Sequence, residues 1–277
     1  MGKDRGRRSL PTDPDSNTVE LRGRRGHASG RADIARRAWA AVTVLGMFHR
    51  SSYWFGVMFC LALVAFWPMY LSKLPHGPDR YTHLHAVLMT AWLGLLIVQP
   101  LLIRRGQRAL HRALGAVSYV LVPAIVAASL LLTHHRARSM DEAVFRAEGV
   151  FFYLPVAAIA LFAIAWALAI VYRRQPALHA RFMVCTGLTL IDPLVARIAF
   201  FHFPPLPGPL LYQAIGYGLT DLVLLVLIVR ERGQRQGRAA FPVMLAVFAT
   251  AHLLWFTVAQ GPGWLAVVRW FRDLPLT

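Results

Sequence analysis

The sequence predicts an all-α fold: a polytopic membrane bundle of seven transmembrane helices, with the N-terminus inside and the C-terminus outside. Of the 277 residues, 57% are hydrophobic and only 16% are charged, and the mean hydropathy is +0.48. Soluble domains carry roughly 25% charged residues. The second observation is a series of long apolar runs after residue 52, and the third is the alternation of arginine-rich and arginine-poor connections between those runs.

A transmembrane helix needs about 20 mostly apolar residues, and each apolar run is close to that length. We therefore divide the chain into a basic tail at 1–52, expected to be disordered and cytoplasmic, and a seven-helix transmembrane domain at 53–277. Met47 precedes the first run, so a start at Met47 is an alternative to such a tail. The seven runs cover residues 53–72, 82–103, 113–133, 149–172, 182–202, 210–229 and 239–259.

The basic residues indicate the orientation of the bundle. Of the 30 lysines and arginines, 22 fall in the tail and in alternate connections, whereas seven fall on the other side. The positive-inside rule then predicts a cytoplasmic N-terminus. The same arginines predict contact with anionic lipids at the cytoplasmic face. Because they lie at helix ends and do not line one groove or helix, the net charge of +17 is not a sign of nucleic-acid binding.

Two cytoplasmic turns have similar sequences and each contains a histidine. Residues 104–112 and 173–181 both contain a double arginine, a glutamine and then Ala-Leu-His. His111 and His179 therefore open successive outward spans, and we expect them at one depth, facing one another or a common ligand. The alternative is that each imidazole caps its own helix or meets lipid phosphate.

Other histidines lie in the outer half of the predicted bundle. His85 is near the start of the second run, and His202 closes the fifth. His252 is about 20 Å from the cytoplasmic start of the seventh run, at 1.5 Å per residue. A histidine at that depth either hydrogen-bonds a neighbouring helix or has a function.

Charged residues also occur inside the spans. Asp192 and Asp221 are each about eleven residues into a run, near the midplane, and Arg197 follows in the fifth run. Intramembrane ionisable residues usually face the bundle interior with a partner. We expect Arg197 to reach Asp221, Asp192 or a ligand anion, and Gln99 to face inward. The cluster is either a structural salt bridge or a proton-accepting or propionate-holding group in a wet cavity.

Several motifs are spread along the chain after residue 52. They are His83-Leu84-His85-Ala86, Met89, Trp92, Gln99, His111-Arg112-Ala113-Leu114-Gly115, His179-Ala180-Arg181-Phe182-Met183 and Asp221-Leu222. With these motifs, nearly everything after residue 52 resembles a widespread group of uncharacterised seven-helix bacterial membrane proteins, which implies the bacterial inner membrane as the location. More loosely, the second to fifth predicted spans, with His111 and His179, resemble the ascorbate-reducible diheme cytochrome b family, in which histidines on successive helices hold haem.

That second resemblance implies a b-type haem-binding electron-transfer module. His111 and His179 would ligate the iron, Arg112 would lie near the propionates, and His85 with His202 or His252 would form an outer pair. A membrane redox partner or a homo-oligomer would accompany this function.

Two alternatives remain open. A small-solute or proton transporter would use Asp192-Pro193, Arg197, Asp221 and the stretch 216–218 as a midplane site. An assembly or accessory subunit would need only packed helices. The sequence contains no motif of hydrolase or nucleotide chemistry, so it assigns no catalytic residue.

Overall fold

The computed structural model describes residues 51–203 and 208–277, and this part of the chain is helical without a strand. Ten α-helices follow one another in these described residues. They are α1 (Ser51–Phe66), α2 (Arg80–Arg104), α3 (Arg108–Ser139), α4 (Glu142–Glu148), α5 (Tyr153–Val171), α6 (Pro176–Leu188), α7 (Ile191–His202), α8 (Pro209–Arg230), α9 (Ala240–Thr257) and α10 (Pro262–Asp273).

Within residues 51–203 and 208–277, six helical segments are long and apolar enough to cross a membrane, which is the pattern of a multi-pass membrane protein. These segments match the second to seventh predicted runs. They are Arg80–Arg104, Arg108–Ser139, Glu142–Val171, Pro176–His202, Leu210–Arg230 and Ala240–Thr257.

The first predicted run is shorter as a helix than as an apolar sequence. Helix α1 has 16 residues, which span about 24 Å of a hydrocarbon core about 30 Å thick. The chain then turns into a 3₁₀ helix at Leu71–His76. A seventh span and the sides of the two termini therefore stay predictions. The predicted tail at 1–52 lies almost wholly outside the described residues.

The α-helical hydrogen bonding of the fifth span is interrupted. Helix α6 ends at Leu188 and α7 begins at Ile191, and the Leu190 N–H bonds the Gly187 carbonyl three residues back. Thr189 and Leu190 keep helical dihedral angles, so the span is kinked and not unwound. Pro193 follows directly and has no N–H to continue the helical hydrogen bonds. The interruption puts Asp192 in the first turn of α7.

Four apolar clusters lie among the described residues, and the two largest hold the bundle together. One lies between α1, α2, α3 and α5 and includes Trp92, whose ring meets Phe162 edge-on at 5.1 Å. The other joins α5, α6, α8 and α9 and includes Phe241 and Phe248. Helix α1 contacts α2 and α7, and the ring of Phe55 lies so close to Gly187 of α6 that a Cβ there would overlap it.

The arginine-containing connections at 104–108, 172–176 and 230–240 define what we call the arginine-rich end of the bundle. A buried ion pair ties its helices together. Arg181 of α6, 1% exposed, donates from Nε to Oε2 of Glu231 at 2.6 Å and from Nη1 to the Ala177 carbonyl. Burial raises the pKa of the Glu231 carboxyl, and the hydrogen bond and charge of Arg181 act in the opposite direction.

The opposite end of the bundle is closed by the C-terminal segment. Helix α10 packs against α3, and Trp264 donates from its indole N–H to the Gly149 carbonyl at 3.2 Å. The fully buried His134 donates from Nε2 to the Leu274 carbonyl at 2.8 Å, and its Nδ1 accepts from Thr277 at 2.7 Å. This histidine therefore fastens the end of the chain.

Candidate functional site

The predicted site residues fall into two groups. Gln99, His111 and His179 lie at the arginine-rich end, with Arg112 exposed beside them. Asp192, Asp221 and His252 lie in the middle of the bundle. Arg197 and His85 adjoin the second group, and Arg197 interacts electrostatically with both His85 and Asp192.

At the arginine-rich end, Gln99 of α2 fixes the ring of His111. The backbone N–H of Gly115 can only donate, so Oε1 of Gln99 accepts from it at 2.9 Å. The amide Nε2 then donates to Nδ1 and to the carbonyl of His111. Nδ1 is thus the acceptor nitrogen, and the ring proton of the neutral His111 is on Nε2.

His179 has the opposite tautomer. Its Nδ1 donates to the Ala169 carbonyl at 2.8 Å, which leaves the lone pair on Nε2. The two histidines are close enough to interact electrostatically. They therefore combine one N–H donor with one acceptor.

This geometry bears on the predicted haem. Both axial histidines of a haem must present an unprotonated nitrogen to iron, and a ligating histidine usually donates its other N–H to a carbonyl. His179 fits that requirement, whereas His111 fits it only if the Gln99 amide turns over. Among the described residues there is also no cluster of three or more His, Cys, Asp or Glu side chains suited to a metal ion.

The group in the middle of the bundle is built around the interruption of the fifth span. Asp192 accepts a hydrogen bond at 2.6 Å from Nε2 of the buried Gln213 in α8. Gly216, one turn further along α8, makes room for the carboxylate, because a Cβ there would collide with Oδ1 of Asp192. The Gln213 side chain also interacts with Tyr217.

A second carboxylate pairs with the buried histidine of α9. His252 donates from Nδ1 to Oδ2 of Asp221 at 3.0 Å, and its ring stacks on Tyr217 with the centroids 3.9 Å apart. The other carboxylate oxygen of Asp221 is buried and has no hydrogen-bond partner among the described residues. His252 also interacts electrostatically with Asp192. One imidazole thus lies between two carboxylates.

A small cavity connects these groups. It has a volume of about 20 Å³, which is enough for a water molecule. Its polar lining is formed by Thr189, Asp192, Tyr217, Thr220 and His252. A buried water with such partners would bridge Asp192 and His252.

Arg197 was predicted to reach Asp221, Asp192 or a ligand anion. Among the described residues it forms no ion pair with either carboxylate: Asp221 pairs with His252, and Oδ1 of Asp192 accepts from Gln213. Its hydrogen bond runs from Nη1 to the Pro193 carbonyl at 2.9 Å. His85 donates from Nδ1 to the Ser129 hydroxyl at 3.0 Å, because that hydroxyl donates its own proton to the Ile125 carbonyl.

Sequence reasoning missed Gln213 as the partner of Asp192. A glutamine inside an apolar run is a signal that could have identified it, because buried amides are hydrogen-bonded. It also did not identify Glu231, whose side chain is 5% exposed and pairs with Arg181.

No protein-family model, curated protein or solved structure matches this chain. The resemblances drawn from the sequence motifs therefore stay predictions, and function is argued from the site alone.

Proposed function

We propose that this chain is a proton-coupled carrier of a small solute whose proton-binding site is the Asp192–His252–Asp221 group. The observation that carries the proposal is the histidine–carboxylate pair of His252 and Asp221 together with Asp192, which lines a small cavity with His252 just after the kink between α6 and α7. Transporters commonly bind substrates and coupling ions near the midplane, where helices are discontinuous.

The kink between α6 and α7 lies at this site. Proline inside a membrane span is tolerated where neighbouring groups satisfy the freed backbone, and Pro193 frees the Thr189 carbonyl from its usual helical partner. Here Thr189 lines the cavity and donates its hydroxyl to the Thr186 carbonyl at 2.7 Å. Asp192 lies in the first turn of α7, where the helix dipole favours a negative charge.

The ionisable groups are suited to exchanging protons. Histidine changes its charge near neutral pH more readily than other side chains. His252 has a carboxylate on one side at hydrogen-bond distance and interacts electrostatically with another, so a proton can be held at Asp192, His252 or Asp221. Intramembrane acids and histidines that face the bundle interior are typical of proton relays.

The proposal includes the topology predicted from the charges. Seven spans, with α1 as the first and the arginine-rich end in the cytoplasm, would agree with the 22-to-7 division of basic residues. In a bacterium this describes an inner-membrane protein. A reporter fused after α10 should then be active only outside the cytoplasm.

The experiment is proton flux into liposomes that contain the purified protein and an internal pH-sensitive dye. An inward concentration gradient of a candidate solute should drive proton entry in the wild type. Asp192→Asn and His252→Phe should reduce the rate at least tenfold, whereas Asp273→Asn, an exposed carboxylate at the end of α10, should not. Equal rates in empty and protein-containing liposomes at every pH and with candidate solutes would contradict the proposal.

A b-type haem at His111 and His179 is the second candidate. It is favoured by the Nδ1–H of His179, which donates to the Ala169 carbonyl and leaves Nε2 available. Bound haem would supply one-electron transfer between membrane partners. The absorption spectrum of protein purified from haem-supplemented cells, before and after dithionite, tests it: sharp reduced-state bands lost in His179→Ala would support haem, and a featureless spectrum would remove it.

A further inference from the structure

One edge of the Arg197 guanidinium group has no hydrogen-bond partner among the described residues. Its Nη1 donates to the Pro193 carbonyl, and its Cζ lies 4.8 Å over the ring of Phe66. Its Nε is buried and has no hydrogen-bond partner among the described residues. A buried N–H without a partner is uncommon in proteins and calls for an explanation.

Because Nη1 already donates to Pro193, the geometry of the guanidinium group decides which N–H groups remain for a ligand. The Nε–H bond and one N–H bond of Nη2 run parallel along one edge of the planar guanidinium group. Nη1 belongs to the opposite edge. With Nη1 held by Pro193, the Nε–Nη2 edge is left to bind two oxygens in parallel. A carboxylate matches this edge with two hydrogen bonds.

Charged groups of both signs act on this edge. Arg136 of α3 interacts electrostatically with Arg197 and with His85. His85 has its Nδ1–H on Ser129, so its second nitrogen is available. Asp192 is the carboxylate that acts on Arg197, and its Oδ1 accepts from Gln213. Arg136 is exposed near the end of α3, where its positive charge would favour an anion that approaches Arg197.

We propose that the Nε–Nη2 edge of Arg197 binds the carboxylate of a small monocarboxylate anion, with His85 and Arg136 beside it. Arg197 is five residues from the end of α7, about 8 Å along the helix axis, so the anion would enter from the end opposite the arginine-rich one. This proposal rests on the proposed function, because it names the solute that would accompany the proton at Asp192. One anion and one proton would cross together without net charge.

The test is equilibrium binding to the full chain, purified in detergent without added lipid. Thermal unfolding is followed with increasing sodium acetate, with acetamide or sodium chloride as probes at matched ionic strength. A ligand that binds the folded state raises the unfolding temperature in a saturable way. Acetate should do so and acetamide should not. Chloride, which cannot span the edge, should bind at least tenfold more weakly than acetate.

The variants separate charge from geometry. Arg197→Gln should weaken acetate binding at least tenfold, and Arg197→Lys should weaken it several-fold because lysine keeps the charge but lacks the planar edge. The control is Arg174→Gln, an exposed arginine at the arginine-rich end, which should bind like the wild type. Because Arg197→Gln can fail to fold, its helical circular dichroism is measured alongside, and Arg197→Lys provides the second readout.

Three results would overturn the proposal: no saturable effect of acetate on the wild type, equal effects of acetate and chloride, or unchanged acetate binding in both Arg197 variants. A rise in unfolding temperature that appears only with added phosphatidylglycerol would assign this edge to a lipid phosphate, and it would overturn the proposal too. The assay contains no proton gradient. Acetate binding without proton flux would therefore contradict the proposed function and support the anion site at Arg197. Proton flux without acetate binding would support the proposed function and contradict the anion site.

Discussion

The arginine-rich end and the middle of the bundle both contain histidines, but their hydrogen bonding differs. At the arginine-rich end, Gln99 holds the half-buried His111, the Ala169 carbonyl holds the half-buried His179, and Arg181 pairs with Glu231. In the middle, Asp221 Oδ1 and Arg197 Nε lack partners among the described residues, and Asp192 and His252 line a small cavity. Satisfied networks rigidify a fold, whereas unsatisfied buried groups mark places where a proton, water or ion binds.

The largest effect on stability should come from the arginine-rich end. Arg181→Met would leave the buried Glu231 carboxylate without its partner, which costs about 3–5 kcal/mol when one member of a buried pair is removed. Reversible unfolding in mixed detergent micelles measures this loss. The control is Arg146→Met: Arg146 pairs with Glu142, but the two side chains are 66% and 49% exposed, so the loss should be about 1 kcal/mol or less. Equal losses in the two variants would show that burial of the Arg181 pair is not what matters.

A smaller effect is expected in the middle of the bundle. Gly216→Ala introduces a methyl group that collides with Asp192, so it should destabilise the fold by about 1–3 kcal/mol, as overpacking does. It should also displace the carboxylate from Gln213 and slow proton flux. Gly218→Ala is the matched control two residues away, because a Cβ there meets nothing within 4 Å. Wild-type flux in Gly216→Ala would contradict the role given to Asp192.

The smallest effect should follow the loss of one neutral hydrogen-bonding side chain. Gln99→Leu removes the amide from His111 and should cost about 1 kcal/mol. Nitrogen NMR of the histidine rings should show that His111 loses its preference for a proton on Nε2, while His179 keeps its proton on Nδ1. Gln107→Leu is the control, since that side chain makes no capping bond at the start of α3. An unchanged His111 signal in Gln99→Leu would remove the tautomer argument.

The sequence predicted the second to seventh apolar runs because hydrophobicity over about 20 residues is a strong signal in a membrane protein. Chain bends are a weaker signal. The run at 53–72 was expected to be one span, but α1 ends at Phe66. The fifth run was predicted as one span, and the structure divides it into α6 and α7. Pro193 has no N–H to bond the Thr189 carbonyl four residues earlier, so the helical hydrogen bonding changes at that point.

Side-chain partners were harder to predict than depth. Asp192, Asp221, Arg197 and His252 were all identified as intramembrane polar residues from position alone. Their pairing was not, because His252 and Asp221 are 31 residues apart and Asp192 and Gln213 are 21 apart. Such contacts depend on how helices rotate against one another. Hydropathy carries no information about that rotation.

The central claim is that Asp192 gains and loses a proton in the folded protein. The most direct test is the infrared difference spectrum between acidic and alkaline pH, recorded on wild-type protein and on Asp192→Asn in the same lipid. The account predicts a carbonyl band of a protonated carboxylic acid at acidic pH in the wild type, and its loss in Asp192→Asn but not in Asp273→Asn. Identical difference spectra for the wild type and Asp192→Asn would contradict it.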